Sequence, residues 1–257
     1  MKIPKIELIP VDSYDSQSVA SIIQLVKLAS SLLEKEGIPL PNRIGFYNDL
    51  TLFIERVSPQ VESYGFNKKQ ARELIKITLN NSTYGTFELK DNAIIEMNFN
   101  PYYQKFYPAI QFLELIIHES LHLLFYSVFH SKTYNYKFKF DEEKFVGNEK
   151  LIQLDEGFAS FFTEKLIDKQ LIDKIRTLPI YSQMTSPPVY KPVVDGLNLE
   201  KIDRIFTRIY EVNSTKGYKL MKQKFEASLE KFKGEKIRFI EEKVFPFIMK
   251  ELELKQP

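Results

Sequence analysis

Residues Ile116 to Phe125 read I-I-H-E-S-L-H-L-L-F, and inside that run His118, Glu119 and His122 form the pattern H-E-x-x-H. The chain has three histidines, and this run holds two of them. On an α-helix, side chains four positions apart lie one above the other on the same face, so both imidazoles reach a common point. Glu119, next to His118, projects roughly 100° further round the helix, within reach of a water held at that point. Two neutral imidazoles are ligands for a transition metal, zinc above all, and a carboxylate beside them can take a proton from water on the ion. The pattern points to metal-assisted hydrolysis, with His118 and His122 as ligands and Glu119 as general base.

The flanking residues sharpen this reading. Phe112, Leu113, Leu115, Ile116, Ile117, Leu121, Leu123, Leu124, Phe125, Val128 and Phe129 leave the helix without a polar face. A helix apolar all round is a buried one. Its polar groups then need partners, because unpaired buried polar groups are costly. A metal ion supplies such a partner; a hydrogen-bonded histidine pair without an ion is the alternative.

Working outward, the totals exclude several classes. The chain has 257 residues, 44% hydrophobic and 27% charged, as expected of a globular protein able to bury a sizeable core. A net charge of +2 gives no field for nucleic acid, so no nucleic-acid partner is expected. Cysteine is absent, which rules out disulfides, thiolate metal ligands and a cysteine nucleophile. The N-terminus, M-K-I-P-K-I-E-L-I-P, shows no apolar signal segment. The longest apolar run, Phe112–Phe129, carries Glu114, His118, Glu119, Ser120 and His122, which suits a membrane span poorly. A cytoplasmic protein with no membrane partner is the expectation.

Local patterns predict a mixed α+β chain. An extended start over 3–11 leads to a helix over about 16–36, capped by Asp12, Ser13 or Asp15 and closed by Gly37. Arg43–Tyr47 reads as a strand. Asp49 and Asn67 are candidate caps for two further helices, although Leu74–Leu79 fits a strand as well. Tyr84–Leu89 and Ala93–Phe99, joined by Lys90-Asp91-Asn92, read as a β-hairpin. Pro108 then opens the histidine helix. Ser131–Lys150 is aromatic and charged without helical periodicity, an inserted loop, hairpin or flap. Leu151–Lys169 is a second core helix, 172–198 is proline-rich and irregular, and three helices follow near 199–212, 216–232 and 234–253. The expected organisation is an N-terminal α/β lobe over 1–135 and a helical lobe with the insertion over 136–257, forming one catalytic unit.

A catalytic zinc site needs a third protein ligand. His130 is nearby, but the metzincin pattern would place a third histidine at 128 and a glycine at 125, where this chain has Val128 and Phe125. Leu154-Asp155-Glu156-Gly157-Phe158-Ala159 resembles instead the E-G-F-A run on the second active-site helix of gluzincins, the clan of thermolysin and the zinc aminopeptidases. That resemblance, local to about 84–170, implies a zincin-like fold and a His118, His122, Glu156 zinc site acting on peptide or protein substrates. Small Gly157 and Ala159 would let this helix pack close to the histidine helix. The chain departs from the clan in the long Ser131–Lys150 insertion between His122 and Glu156. Glu143, Glu149 and Asp155 remain alternative ligands.

Two more clan features have partial counterparts. The strand before the histidine helix would bind the substrate backbone as an edge, which places Ala93–Phe99 there. On it, Ile95-Glu96-Met97-Asn98 stands where aminopeptidases carry G-x-M-E-N, so Glu96 is a candidate amine anchor beside the plainer reading as a strand glutamate. Ser214-Thr215-Lys216-Gly217-Tyr218 resembles the aminopeptidase Y-x-K-G run with Ser214 in place of the tyrosine. Tyr210 and Tyr218 are then the candidates to stabilise an oxyanion. The expected function is a zinc-dependent peptidase. The alternatives are a catalytically inactive zincin-like binding or structural module, and an ion-free helical interaction protein.

Overall fold

Three parallel strands and one antiparallel strand carry the rest of the chain. The computed structural model describes residues 3–81, 85–89, 93–98, 108–129, 139–141, 144–146, 148–180 and 189–252. Strands β1 (Lys5–Ile9), β2 (Arg43–Tyr47), β3 (Gly85–Leu89) and β4 (Ala93–Asn98) form a sheet in the order β1-β2-β4-β3. β1 and β4 flank β2 in parallel, and β3 returns antiparallel on β4 as the expected hairpin. Side chains alternate between the two faces. Ile44, Phe46, Ile95 and Met97 enter a larger core on one face, and Tyr47 enters a smaller core on the other.

Local chemistry sets the helices. Helix α1 (Ser16–Lys35) starts at Asp15, whose carboxylate accepts the Ser18 N–H at 2.8 Å. Helix α2 (Leu50–Glu62) is capped in the same way by Asp49 on Leu52. Helix α3 (Lys68–Asn81) is capped by Asn67, whose Oδ1 accepts the Lys69 and Gln70 N–H groups. The ambiguous stretch Leu74–Leu79 is therefore helical: the cap sets the phase, and Ala71, Leu74 and Ile75 form the buried stripe. Helix α4 (Pro108–Phe129) bears the two histidines and packs on the larger-core face, with Phe46 and Phe112 edge to face at 5.9 Å. On the opposite face Tyr47 meets Phe53 of α2 at 5.5 Å.

Beyond α4, β5 (Lys139–Asp141) and β6 (Lys144–Val146) pair as a small hairpin inside the insertion. Helix α5 (Glu149–Leu166) starts at Asn148, whose side chain accepts the Leu151 N–H, and α6 (Lys169–Ile175) follows. A two-residue ladder, β7 (Val193–Val194) with β8 (Leu197–Asn198), precedes α7 (Leu199–Glu230). The chain closes with α8 (Lys236–Phe239), a π turn over Ile240–Val244, and α9 (Phe245–Glu251).

Two expectations are corrected. The helices foreseen near 199–212 and 216–232 are one helix, α7. The polar run Asn213-Ser214-Thr215 does not break it, because the Asn213 amide donates back to the Ile209 carbonyl at 2.9 Å. α7 consequently ties the two cores together, giving Leu199 and Ile202 to the smaller and Met221, Phe225 and Leu229 to the larger. Second, β4 is not an edge: β2 and β3 pair with it on either side, and β3 is the outer strand. By length and composition α4 alone among the described residues could cross a membrane, yet 67% of that apolar window is buried within this fold.

Candidate metal centre

The centre forms where α5 crosses α4. Phe125 of α4 packs against Phe129 on its own helix and against Phe158 of α5, 5.7 Å away between ring centroids. These fully buried rings, each worth about 1.5–3 kcal/mol of transfer free energy, hold the two helices in contact. Behind α5 stands α7. Gly157 and Gly217 meet backbone to backbone, and a Cβ on Gly217 would lie 2.8 Å from the Gly157 Cα and collide with the Gln153 carbonyl. Gly157 thus serves the α5–α7 contact, not the α4–α5 contact expected from the sequence. Ala159 is fully buried in the larger core.

This packing brings together three of the residues named from the sequence. His118 Nε2 and His122 Nε2 lie 2.9 Å apart. Glu156 offers Oε2 at 3.7 Å from His118 Nε2 and Oε1 at 3.7 Å from His122 Nε2. One ligand atom from each residue falls within 4.8 Å of the others. Zinc with ligands at about 2.0–2.1 Å in tetrahedral geometry would hold them about 3.3 Å apart, so the donor set fits such an ion in both type and spacing. The His118 and Glu156 side chains keep 23% and 19% of their exposure, which leaves an approach from solvent.

Asp155 is not a ligand of this cluster. Its Oδ1 takes the Nδ1 of His122 at 2.7 Å, inside the fold. A carboxylate on the far nitrogen of a ligating imidazole fixes its tautomer and turns the other nitrogen outward. The sequence held Asp155 only as an alternative ligand; its signal was its place beside Glu156, one step round a helix facing the same histidines. Glu149 is exposed at the first turn of α5, and His130 and Glu143 lie outside the described residues.

Charges in the cluster are coupled. Burial alone would pull the His122 imidazole down, but the Asp155 and Glu156 carboxylates outweigh it and hold it up to about 10. Burial works against the Glu156 carboxylate as well, yet the His122 and His118 imidazoles bring it below the usual range. Glu119, 8% exposed, is pushed up by burial, with the same imidazoles opposing. A carboxyl so placed is suited to accept a proton and release it again.

Tyr218, Glu96 and Ser214 have partners outside the cluster. The Tyr218 hydroxyl donates to Glu164, two helical turns beyond Glu156, and accepts from Lys222 at 3.2 Å. Tyr210 is half-buried on α7 and has partners of its own. Glu96 is 2% exposed and takes the guanidinium groups of Arg43 and Arg56 on the sheet face opposite α4, which removes it as an amine anchor. Ser214, at the tyrosine position of the Y-x-K-G resemblance, pairs with Ser160 at 3.3 Å. Comparison with family models, curated proteins and solved structures finds no match for the chain.

Proposed function

We propose that the chain is a zinc-dependent peptidase of gluzincin type, with His118, His122 and Glu156 as zinc ligands and Glu119 as general base. The observation that carries this reading is the convergence of the three donor atoms within 4.8 Å. Glu119 stands beside them on the same helix. The zincin-like frame draws support from the antiparallel outer strand β3, which packs against the histidine helix. The pairing of Gly157 from the E-G-F-A run with Gly217 from the Y-x-K-G-like run adds to it.

Zinc in this site would polarise a water and the scissile carbonyl. The residues of the chain do the rest. Asp155 holds His122 with its proton on Nδ1, leaving Nε2 for the ion. Glu119 takes a proton from the attacking water as the new C–O bond forms. The peptide C–N bond then breaks, and Glu119 returns that proton to the leaving amine, so that it ends the cycle as it began. Strand β3, outermost in the sheet, can take an extended peptide alongside.

The test pairs metal analysis with hydrolysis. Purified protein is expected to hold about one zinc per chain and to cleave members of a broad peptide library. Glu119→Gln should keep the zinc and lose about 10²–10⁴-fold in turnover. A wild type fully loaded with zinc that cleaves no member of the library would overturn the enzyme reading. It would favour the second reading, an inactive metal-holding module, for which the commitment of the Tyr218 hydroxyl to Glu164 speaks.

A further inference from the structure

One carboxylate close to the metal centre takes no part in it. Glu114 lies on α4 four positions before His118, on the same face and about 6 Å back along the axis at 1.5 Å per residue. From Ala109 to Glu119 the helix is closed to water except along one stripe: Gln111 and Glu114 are exposed, and Ile110, Leu115 and His118 are partly so. The stripe ends on His118, where the cluster itself opens to solvent. Nothing in α4 accounts for an acid at this place. Glu114 stands in the second turn, past the free N–H groups of the first that a carboxylate would serve. Three and four positions away stand Ile110, Gln111, Ile117 and His118, so no lysine or arginine of α4 answers its charge. Among the described residues Glu114 has no hydrogen bond or ion pair. Its carboxyl is pushed up by burial, and no neighbouring charge opposes the shift.

We propose that Glu114 sets the substrate class of this site: it receives the lysine or arginine side chain of a residue close to the scissile bond. The inference rests on the peptidase reading. Two residues of an extended peptide span about 6.8 Å, close to the rise between Glu114 and His118, so a peptide with its carbonyl at the metal brings a neighbouring side chain to the stripe. The stripe offers both parts that such a side chain needs. Ile110 and Leu115, apolar and packed against the larger core, would carry the aliphatic stem. Glu114 would take the cationic head, which supplies the counter-charge that the chain itself does not. Glu119 lies five positions on, roughly 140° round the helix from Glu114. The two carboxylates therefore serve different ends, one the proton of the reaction and the other the side chain of the substrate.

Zinc-loaded protein is given matched peptides, acetylated and amidated at their ends, with lysine, norleucine or glutamate scanned through the sequence; a second set has free N-termini. In the blocked set the side chain is the only cation. At one position beside the cut, lysine should exceed norleucine in kcat/KM about tenfold, the lower end for a charge-assisted hydrogen bond at a partly exposed site. Glu114→Gln should erase that preference, and Glu114→Lys should turn it towards glutamate. Glu114 is exposed, so both variants should keep the wild-type melting temperature. No lysine preference in the wild type, a preference that survives in Glu114→Gln, or one confined to free N-termini overturns the proposal and leaves the peptidase reading in place. Where the protein holds zinc but cleaves nothing, calorimetry compares a lysyl with a norleucyl peptide hydroxamate. A lysyl advantage lost in Glu114→Gln then keeps the cation site and sinks hydrolysis, whereas equal affinities overturn both. A wild type that takes up no zinc overturns both as well.

Discussion

Two acidic clusters lie inside this protein, one on each side of the sheet, and they differ in what faces the carboxylate. Glu96, 2% exposed, receives Arg43 and, at 2.9 Å, Arg56. Arg43 extends the network to Glu7 at 3.0 Å, and Glu7 to Lys5 at 2.6 Å. The carboxylate so held pushes the neighbouring Tyr47 hydroxyl up to about 12, second only to burial as a cause. Guanidinium groups are permanently charged donors in a fixed fork, and both meet Oε1 of Glu96, while Glu96 Oε2 and Arg43 Nε are buried without a hydrogen-bond partner among the described residues. Glu156 faces two imidazoles instead, each at 3.7 Å, which is long for a hydrogen bond. The imidazole nitrogens turn towards each other at 2.9 Å, where a single proton between them is all that the geometry accommodates. The Glu96 side chain is the more deeply buried, 3% exposed against 19% for Glu156, and what faces each carboxylate differs in kind. At Glu96 the counter-charge is permanent guanidinium; at Glu156 it is imidazole, which can give up its proton and turn a lone pair to a metal ion instead.

The widest separation between the clusters is expected in metal binding. His122→Ala should weaken zinc by more than about a hundredfold, beyond what losing an outer partner costs. Glu96→Ala should leave zinc stoichiometry untouched, as read by metal analysis of the folded protein. Its effect should appear in stability, because Arg56 loses this carboxylate and Arg43 is left with Glu7. Removing one partner of a buried pair costs about 3–5 kcal/mol, which urea unfolding would resolve. A folded Glu96→Ala protein that cannot hold zinc, or a His122→Ala protein that still does, would erase the distinction.

A smaller effect tests how the histidine cluster is assembled. Gly217→Ala places a methyl against the Gln153 carbonyl and the Gly157 Cα, both backbone and unable to turn aside. Overpacking of this kind costs about 1–3 kcal/mol. Because Gln153 and Gly157 bracket Glu156 on α5, the displacement should also weaken zinc. Gly196→Ala meets no atom within 4 Å, although its φ of 83° carries a strain of its own, so it reports the backbone cost without the collision. If both variants lower zinc affinity equally, α7 does not set the position of Glu156.

Much of the centre was legible because its information is local. H-E-x-x-H fixes a helix face by spacing, and the apolar residues around it fix burial. Glu156 was legible through the short run Glu156-Gly157-Phe158-Ala159, despite the insertion that separates it from His122. What escaped depends on partners distant in sequence. Strand order is one case: the clan resemblance implied an edge strand at β4, before the histidine helix, but β2, some fifty residues upstream, pairs with its other side. Glu96 is another, since nothing near it in the chain announces Arg43 and Arg56. The continuity of α7 is a third: Asn213 falls between the helices expected near 199–212 and 216–232, and its amide bonds the Ile209 carbonyl within one helix. Asp155 could have been placed by helical phase alone, beside Glu156 on a helix facing the histidines.

A third carboxylate, Glu73 on α3, is a milder case of the Glu96 type and shows the smallest effect. Its side chain is 14% exposed; Oε1 takes the Lys76 ammonium at 2.8 Å and Oε2 the backbone N–H of Lys191 at 2.8 Å. Burial works against the charged form, but these two donors outweigh it and hold the carboxyl below its ordinary value of 4.5. A carboxyl whose folded value is depressed adds stability above its unfolded value and loses it as pH falls through the folded one. Glu73→Gln should therefore cost about 1 kcal/mol near neutral pH, where the charge-assisted bonds are intact. The gap between the wild-type and variant urea midpoints should narrow as the pH falls below 4.5. A constant gap across that range would mean that Glu73 contributes by shape alone and that the Lys191 N–H is satisfied equally well by an uncharged amide. Glu73 would then be a packing contact, and permanent charge would count only where, as at Glu96, the carboxylate is sealed from water.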